Sequence, residues 1–347
     1  MIVRAAVPLA PLTTLRLGGR AARLAEVGTE EDVVAAVHDA DARSEKVFVL
    51  GAGSNVVVGD GGFPGLTVRM AMRGVAVRRD GDRVTVDVAA GEEWDALVGR
   101  AVGEGWAGIE SISGVPGLVG ATPIQNVGAY GQEVCETIVS VRAYDRPAAA
   151  FVDIDGAACG FAYRASIFKR SDRWIVTSVK FAFPLRRDGI VRYAELARAL
   201  GVAEGARAPS DRVREAVIAL RRSKGMVSDG ADPESVSVGS FFVNPVVDAA
   251  VERMVAERAG ATPPAFDAPG GKRKIAAGWL VEHAGFTKGW GQGSVGVSRK
   301  HALALVHRGG GTTGELLALA RTIRDGVRAR FGVVLEPEPV FVGCSWG

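Results

Sequence analysis

The sequence is poor in the residues that build metal sites and disulfide frameworks. Only three cysteines (Cys135, Cys159 and Cys344) and four histidines occur in 347 residues, and they are scattered along the chain. An odd number of isolated cysteines matches neither a disulfide framework nor a zinc knuckle, so reduced thiols are expected. No His-x-x-x-His pattern occurs and no acidic residue stands at ligand spacing, and therefore no metal site is predicted.

Long apolar runs and clustered basic charge are also missing. No run approaches the ~20 residues of a membrane-spanning helix, so no membrane insertion is expected. The first residues, MIVRAAVPLAPL, lack the sustained apolar core of a signal peptide. The net charge is only +3, and no basic patch is interleaved with aromatic residues, which argues against a nucleic-acid partner. With 48% hydrophobic and 23% charged residues, the chain is expected to be a cytoplasmic protein of two or three domains.

A glycine-rich segment between two short apolar runs is the first candidate binding site. Val47–Leu50 and Val56–Val58 read as strands, and between them lie Gly51, Ala52, Gly53, Ser54 and Asn55. Glycine lets backbone N–H groups approach an anion, and Ser and Asn add side-chain donors, which is the chemistry of a pyrophosphate cradle. The alternative is a tight turn between strands.

Two familiar nucleotide motifs do not fit this segment. The dinucleotide fingerprint needs a third glycine where Val56 stands, and then a helix, whereas β-branched residues follow here. A P-loop needs Gly-Lys-Ser/Thr, which is absent. A nucleotide cofactor at this segment is therefore expected to be held between strands.

Residues 107–133 form a second glycine-rich region that is almost uncharged. Six glycines are accompanied by small or amide side chains, namely Ser111, Ser113, Thr122, Gln125 and Asn126. Loops of this length are uncommon in a compact domain unless they bind something. The region is predicted to form one wall of a cofactor site, with a plain loop as the alternative.

Local patterns predict several elements. Thr29 is a suitable N-cap for a helix with acidic residues in its first turn. Asp80-Gly81 is a hairpin turn between alternating strands. The alternation in 12–19 predicts a strand, as does the run 237–247, and the Gly/Asp/Pro-rich segment 225–239 predicts a mobile loop or domain linker.

A second match to the dinucleotide fingerprint spans Gly309–Gly314. It follows a predicted strand and precedes a predicted helix, so it satisfies the local pattern better than Gly51–Asn55 does. A dinucleotide-binding half needs three parallel strands, however, and too little chain follows to supply them. Thr312 and Thr313 also suit an ordinary helix N-cap, which is the favoured interpretation.

Two further positions are chemically suggestive but ambiguous from their windows alone. Arg164 and Lys169 flank Ile167 and Phe168, so one of the two cations reaches a buried anion or both are solvated. Ser240 stands among apolar neighbours and must find a polar partner. It lacks the Gly-x-Ser-x-Gly elbow of a hydrolase nucleophile.

Five blocks, taken in order, resemble one family. VLGAGSN, SGVPGLVGATPIQNVGAYG, YRASIFK, GSFFVNP and the terminal LEPE are similar to type I UDP-N-acetylenolpyruvoylglucosamine reductases, over about residues 12–343. The resemblance implies an α+β protein with the FAD-binding fold of the vanillyl-alcohol-oxidase (PCMH) type in two subdomains, plus a smaller α/β substrate-binding domain. The implied boundaries are 1–70 for the first FAD subdomain, completed by a C-terminal strand in 329–347, then 71–224 for the second and 225–328 for the substrate domain.

The activity that this resemblance implies is reduction of a nucleotide-sugar enolpyruvyl ether. NADPH reduces FAD and leaves, and the enolpyruvyl ether of UDP-N-acetylglucosamine is then reduced to UDP-N-acetylmuramate for peptidoglycan synthesis. FAD is expected to be non-covalent, because no histidine lies near 51–55 or 107–133. A monomer is expected.

The resemblance also implies site residues. Arg164, Ser240 and Glu338 align with the catalytic positions, with Ser240 as proton donor and Glu336 as the competing acidic residue. The cofactor positions are Gly51, Ala52, Gly53, Ser54, Asn55, Ser113, Gly114, Gly117, Gly120, Ala121, Thr122, Gln125, Asn126, Gly128 and Ala129. The substrate positions are Tyr163, Tyr193, Lys224, Asn244 and Gln292.

One stretch departs from the family pattern. Trp290 and Gly291 occupy the usual tyrosine and polar places, which puts Gln292 one residue late. The competing functional hypotheses are a flavin-dependent oxidase of the same fold with another substrate and a nucleotide-sugar-binding protein without flavin. An oxidase has no need of a proton donor such as Ser240, which favours the reductase.

Overall fold

The computed structural model describes all 347 residues. Seven α-helices are joined by strands and short 3-10 turns. In chain order the helices are α1 (Glu30–Ala42), α2 (Trp94–Glu104), α3 (Ala194–Leu200), α4 (Ser210–Ser223), α5 (Ala249–Ala259), α6 (Ala277–His283) and α7 (Thr313–Phe331).

The strands are mostly short. In chain order they are β1 (Ile2–Pro8), β2 (Arg20–Val27), β3 (Val47–Leu50), β4 (Val56–Val58), β5 (Phe63–Met70), β6 (Val75–Asp80), β7 (Arg83–Ala89), β8 (Gly128–Ala129), β9 (Gln132–Glu133), β10 (Ile138–Asp145), β11 (Ala150–Asp155), β12 (Trp174–Pro184), β13 (Asp188–Ile190), β14 (Arg207–Pro209), β15 (Ser237–Ser240), β16 (Val246–Val247), β17 (Ala265–Ala268), β18 (Lys272–Ile275), β19 (Val295–Val297), β20 (Ala304–His307) and β21 (Val340–Val342).

The chain divides into two compact units. The first unit comprises Met1–Val7, Ala21–Gly53 and Phe63–Val227. The second unit comprises Pro8–Arg20, Ser54–Gly62 and Ser228–Gly347. The chain therefore leaves the first unit twice near its beginning, and the first glycine-rich segment is divided between the two units after Gly53.

The first unit contains a four-stranded and a five-stranded sheet. The smaller sheet has the order β1-β2-β5-β3, and β2 and β3 run parallel to β5. The larger sheet, β11-β10-β12-β7-β6, is antiparallel. One apolar core joins α1 to the smaller sheet, and it includes Tyr144 and Ile175 from the larger sheet, so a shared core fixes the two sheets together.

The second unit is built from short antiparallel sheets and α5, α6 and α7. Its sheets are β15-β20-β19 and β16-β18-β17, and β21 pairs in parallel with β4. One core cluster runs through the unit, and Phe241, Phe242, Leu280, Ile323 and Phe331 are among its buried members. The C-terminal strand is thus paired with the strand that follows Asn55.

Two local predictions are confirmed. The Thr29 side chain accepts a hydrogen bond from the Asp32 N–H at the start of α1, as an N-cap should. The predicted hairpin between β6 and β7 also forms, with Asp80 opposite Arg83, although its two turn residues are Gly81 and Asp82, one position later than predicted. Both signals depend only on residues close in sequence.

The predicted strand over 12–19 is wrong. Thr13, Leu15 and Leu17 are buried in alternation, but the Thr13 hydroxyl donates to the Ala10 carbonyl and accepts from the Arg16 N–H. Arg16 then adopts a left-handed conformation with φ of 55°. The segment is a series of turns, because the side chain of Thr13 satisfies the backbone groups that a strand partner would take.

The predicted linker 225–239 contains the change from one unit to the other, after Val227. Its second half is attached to the second unit, because the buried carboxylate of Glu234 accepts hydrogen bonds from the Ser298 hydroxyl at 2.6 Å and the Arg299 N–H at 2.7 Å. The predicted strand 237–247 is interrupted, since β15 ends at Ser240 and β16 begins at Val246.

The domain boundaries 1–70, 71–224, 225–328 and 329–347 stay a prediction. No helix has both the length and the apolar character needed to cross a membrane.

Candidate active site

The first glycine-rich segment touches the second within the first unit. A Cβ added to Gly51 would lie 3.6 Å from Leu118 Cδ1, an ordinary van der Waals distance. Gly53 adopts a left-handed φ of 64°, which explains its residue type. Gly51, Ala52 and Gly53 thus belong with the 113–129 loop, whereas Ser54 and Asn55 belong to the second unit.

Asp95 on α2 fixes the beginning of the second loop. Its carboxylate accepts the Gly114 N–H at 2.6 Å and two hydrogen bonds from Arg214, at 2.6 and 2.8 Å. Burial by itself would raise the pKa of Asp95, but the hydrogen bonds from Arg214 and Gly114 outweigh it and hold the pKa below its usual value. The carboxylate therefore ties the loop, at a left-handed glycine with φ of 68°, to helix α4.

Tight packing determines the middle of the loop. The Gly120 N–H donates to the Ala90 carbonyl at 2.9 Å. A Cβ on Gly120 would lie 2.4 Å from the Ala90 Cβ, so only glycine fits there. Ala121 ends a 3-10 turn that begins at Val119, and Gly117 has φ of 143°.

Two predicted side-chain donors are already occupied within the loop. The Ser113 hydroxyl donates to the Glu110 carbonyl at 2.6 Å, and the Thr122 hydroxyl donates to the Val119 carbonyl at 2.8 Å. Both side chains are buried. They shape the loop, and their roles as cofactor residues remain a prediction.

Asn126 is a structural centre of the same loop. Its amide Nδ2 donates to Glu133 Oε2 at 2.8 Å and to the Ala162 carbonyl at 3.2 Å, and its Oδ1 accepts the Cys135 N–H at 3.1 Å. Just beyond it, β8 (Gly128–Ala129) pairs with β9, while Gln125 is half-buried. The loop therefore ends in a small hairpin that is fastened to the segment around Ala162.

The structure brings Arg164 onto this loop. The Arg164 guanidinium donates to the Gly128 carbonyl at 2.8 Å and to the Asn126 carbonyl at 3.4 Å. The Ser166 hydroxyl donates to the Ile124 carbonyl at 2.7 Å, which adds a second connection between the two segments. Two distant blocks of the sequence thus form one surface of the first unit.

Three residues at the same place have strained backbone conformations. Asn126, Tyr130 and Arg164 all have left-handed conformations, with φ of 47°, 48° and 53°. Such conformations in non-glycine residues cost about 1–3 kcal/mol each and cluster at functional sites. The Arg164 guanidinium also lies 5.5 Å from the ring centroid of Tyr163, a cation–π distance.

Ser240 lies at the end of β15 in the second unit. It pairs with Ala304 of β20 after a register shift, and the preceding Gly239 has a left-handed φ of 74°. The next residue, Phe241, is fully buried and its N–H donates to the Leu303 carbonyl at 2.8 Å. The half-buried serine thus stands at a bulge between a fixed strand and a core anchor.

The backbone of Glu338 lies beside this anchor. The Glu338 N–H donates to the Phe241 carbonyl at 2.9 Å. Asn55 binds the same stretch, because its Nδ2 donates to the Glu338 carbonyl at 3.5 Å and its carbonyl accepts the Val340 N–H at 3.0 Å. Glu338 is half-buried whereas Glu336 is exposed, and the choice of Glu338 stays a prediction.

Three predicted substrate residues, Tyr163, Tyr193 and Lys224, belong to the first unit. Tyr193 packs edge-on against Tyr130 with ring centroids 5.6 Å apart. The Lys224 ammonium lies 5.7 Å from the Tyr130 ring centroid and pairs with Glu195 at 2.6 Å. Burial raises the pKa of Tyr130 to about 12, and it raises the pKa of Tyr193 as well, with a further rise from Glu195.

The two remaining substrate residues lie in the second unit. Asn244 Oδ1 accepts the Ala277 N–H at 2.8 Å and so caps the start of α6. Gln292 is exposed in the turn before β19, two residues after Trp290, which packs edge-on against Phe286. Asn244 is fixed, whereas Gln292 projects from a short surface turn.

The second dinucleotide-like motif is a helix cap. Asp60 accepts the N–H groups of Thr313 and Gly314, at 2.8 and 2.9 Å, so a carboxylate already occupies the N-terminus of α7. The strand before it, β20, is antiparallel to both of its neighbours. The interpretation of this motif as an N-cap is confirmed.

Comparison with known proteins identifies both halves of the chain. Residues 21–154 match a family described as FAD binding domain, and residues 232–342 match one described as UDP-N-acetylenolpyruvoylglucosamine reductase, C-terminal domain. A reductase of that name from Salinispora arenicola is 53% identical and covers 97% of this chain and 95% of its own. Another, from Thermobifida fusca, is 50% identical and covers 98% of each chain. The chain belongs to the UDP-N-acetylenolpyruvoylglucosamine reductase family.

A solved structure agrees with this assignment. The UDP-N-acetylenolpyruvylglucosamine reductase (MurB) from Thermus caldophilus superposes with a TM-score of 0.67 at 25% identity, over 98% of this chain and all of its own. The predicted α+β architecture, with the FAD-binding fold of the vanillyl-alcohol-oxidase type, is confirmed. As a UDP-N-acetylenolpyruvoylglucosamine reductase family member, the chain is an FAD-containing oxidoreductase of peptidoglycan precursor synthesis, and NADPH as reductant agrees with the family.

The residues of the first unit fit FAD. Gly51 and Leu118 place two glycine-rich segments in contact, which makes backbone approach to a cofactor possible. Two polar atoms in and beside the loop, Ser111 Oγ and Arg221 Nε, are buried without any hydrogen-bond partner in the chain. Buried polar atoms are normally satisfied, so these two atoms are available as hydrogen-bond partners for a bound group.

Some site residues lie outside the family matches, and others were not predicted from the sequence. The FAD-binding match includes both glycine-rich segments, but Arg164 and Lys224 lie outside both matched ranges. Asp95, Arg214 and Arg221 were not predicted as site residues. Their only sequence signal is the spacing of the two arginines by seven residues, which puts them on one face of α4.

Proposed function

We propose that the chain reduces the enolpyruvyl ether of UDP-N-acetylglucosamine to UDP-N-acetylmuramate, with NADPH as the source of the hydride. The observation that carries the proposal is the attachment of Arg164 to the second glycine-rich region of the first unit, through hydrogen bonds to the Gly128 and Asn126 carbonyls. A cation fixed beside a flavin loop suits a substrate that carries a carboxylate.

The roles of the side chains follow from the chemistry of the reaction. When bound, FAD supplies the hydride that adds to the vinyl terminus of the substrate. Arg164 binds the substrate carboxylate and stabilises the negative charge that develops on the adjacent carbon. Ser240 then donates its proton to that carbon, and Glu338 hydrogen-bonds a carboxylate oxygen and so orients the substrate.

Five further side chains bind the substrate in this proposal. Tyr193 and Lys224 hold the diphosphate, Tyr163 contacts the substrate near Arg164, and Asn244 contacts the nucleotide. Gln292 supplies a further polar contact in place of the usual residue. The protein acts as a cytoplasmic monomer in this proposal.

The test compares wild type with Ser240→Ala in two half-reactions measured separately. The variant is expected to retain FAD and its reduction by NADPH, yet to lose substrate-dependent NADPH consumption by at least about a hundredfold, the usual worth of a general acid. Ser235→Ala is a matched control, since Ser235 is bonded only to its own turn at Asp229 and Asp232. Retention of substrate turnover by Ser240→Ala would refute the assignment, and loss of flavin reduction as well would indicate a folding role.

A further inference from the structure

Arg221 is an unusual cation in the first unit. It lies in the last turn of α4, two turns after Arg214, and Arg214 is fully paired with Asp95. Arg221 forms no ion pair with a carboxylate. Its Nη2 donates to the Met226 carbonyl at 2.7 Å, and its Nε is buried with no partner.

The charges around Arg221 do not neutralise it. Burial lowers the pKa of Arg221, Tyr130 and Asp95 oppose this, and the positive charge of Arg164 adds to the lowering. Asp95 is already committed to Arg214 and to the Gly114 N–H. Tyr130 is a neutral phenol at physiological pH, since its pKa is about 12. Asp95 is therefore taken up by Arg214, and Arg221 has no carboxylate partner of its own.

Arg221 as a whole is half-buried, but its buried Nε–H has lost its water and needs a hydrogen-bond partner. The position of Arg221 shows where that partner belongs. A Cβ on Gly114 would lie 3.7 Å from Arg221 Cδ, so the arginine stem packs directly against the loop predicted to hold FAD. An anion beside this loop would satisfy both the charge and the Nε–H.

We propose that Arg221 stabilises the negative charge that FAD acquires when it accepts a hydride from NADPH. The hydride brings one proton and two electrons, NADPH leaves as NADP⁺, and the bound isoalloxazine gains one negative charge. A cation near the flavin ring favours the reduced form and raises its reduction potential. The inference rests on the proposed function for its reductant, and it adds a residue that no motif indicated.

A second anion of similar chemistry is the diphosphate of the nucleotide sugar, for which Tyr193 and Lys224 are proposed. The two sources are separable, because the reduction potential of bound FAD is measured without substrate. Binding of UDP to the oxidised protein, in contrast, reports on the diphosphate alone.

The experiment determines the two-electron midpoint potential of the FAD-loaded protein with a redox dye, in wild type, Arg221→Met and Arg221→Lys. Arg221→Met is expected to shift the equilibrium at least about tenfold toward oxidised FAD, or ~30 mV to more negative potential. Arg221→Lys should restore most of the shift because it keeps the charge. Arg222→Met is the matched control, since Arg222 is the exposed next residue of the same helix and should leave the potential unchanged.

Three results would overturn the inference. One is an unchanged potential in Arg221→Met at full FAD occupancy. Another is an unchanged potential with weakened UDP binding, which would assign Arg221 to the diphosphate. If Arg221→Met retains no FAD, Arg221→Gln is measured in its place. The third result is that both variants lose FAD while Arg221→Lys retains it fully, which would show that Arg221 binds oxidised and reduced FAD alike. Because only bound FAD is required, a shifted potential stands even if the enolpyruvyl substrate is not turned over.

Discussion

The Asp95 carboxylate joins α2, α4 and Gly114, so removing its charge should lower the stability of the protein by an amount that can be worked out from the structure. In Asp95→Asn the amide oxygen can still accept the Gly114 N–H, but the negative charge opposite Arg214 is lost. A hydrogen bond to a charged group contributes about 1.5–3 kcal/mol when buried. The Asp95 side chain is 39% exposed, and exposed ion pairs contribute only about 0–1 kcal/mol, so we expect a loss of about 1–2 kcal/mol in the free energy of unfolding near neutral pH.

The pH dependence gives this prediction its sign. The pKa of Asp95 is lower in the folded protein than in the unfolded chain, where it is about 3.9. Such a group stabilises the fold above its unfolded pKa, and the contribution disappears as the pH falls through the folded pKa. The difference between wild type and Asp95→Asn should therefore be full near neutral pH and shrink below about pH 4.

Urea unfolding followed by circular dichroism, at several pH values and with FAD bound, measures this difference. Asp82→Asn is the matched control, because Asp82 lies in the exposed β6–β7 turn and its side chain forms no hydrogen bond or ion pair. A difference that is absent near neutral pH, or that does not change with pH, would show that the Asp95 charge has no part in fixing the loop.

Two further predictions concern the loop and the cofactor. Gly120→Ala should destabilise the protein by about 1–3 kcal/mol in thermal or urea unfolding, because the new Cβ would lie 2.4 Å from the Ala90 Cβ. Gly103→Ala in helix α2 is the control, and it should stabilise the protein by about 0.5–1 kcal/mol because nothing lies within 4 Å of its new Cβ. Equal effects of the two substitutions would contradict the packing argument. Acid precipitation should release FAD into the supernatant, since no histidine lies in either glycine-rich segment, and a yellow pellet would show that the bond is covalent.

Local chemistry explains which features the sequence predicts. Thr29 caps α1, and the chain turns back directly after Asp80, because the groups involved are within four residues of one another. The failed strand at 12–19 shows the limit of such patterns, since Leu15 and Leu17 alternate correctly while Thr13 bonds to its own turn. Burial alternation indicates which side chains face the core, but it does not distinguish a strand from an irregular segment packed in the same way.

The site required information that no window of sequence contains. Asp95 and Arg214 are 119 residues apart, and Arg164 reaches Gly128 across 36 residues. The residue types of Ser113 and Thr122 indicate hydrogen-bond donors, but carbonyls three residues earlier accept them both. Resemblance to a family supplied the order of the catalytic blocks, whereas the unpaired charge of Arg221 became visible only when the fold placed its neighbours.

The most direct test of the account is anaerobic reoxidation of the NADPH-reduced protein by UDP-N-acetylglucosamine enolpyruvate in deuterium oxide. The absorbance band of oxidised flavin should return, and the product should be UDP-N-acetylmuramate with deuterium on the carbon next to the carboxylate, where Ser240 delivers its exchanged proton. A flavin band that stays bleached with this substrate, or a product without deuterium at that carbon, would contradict it.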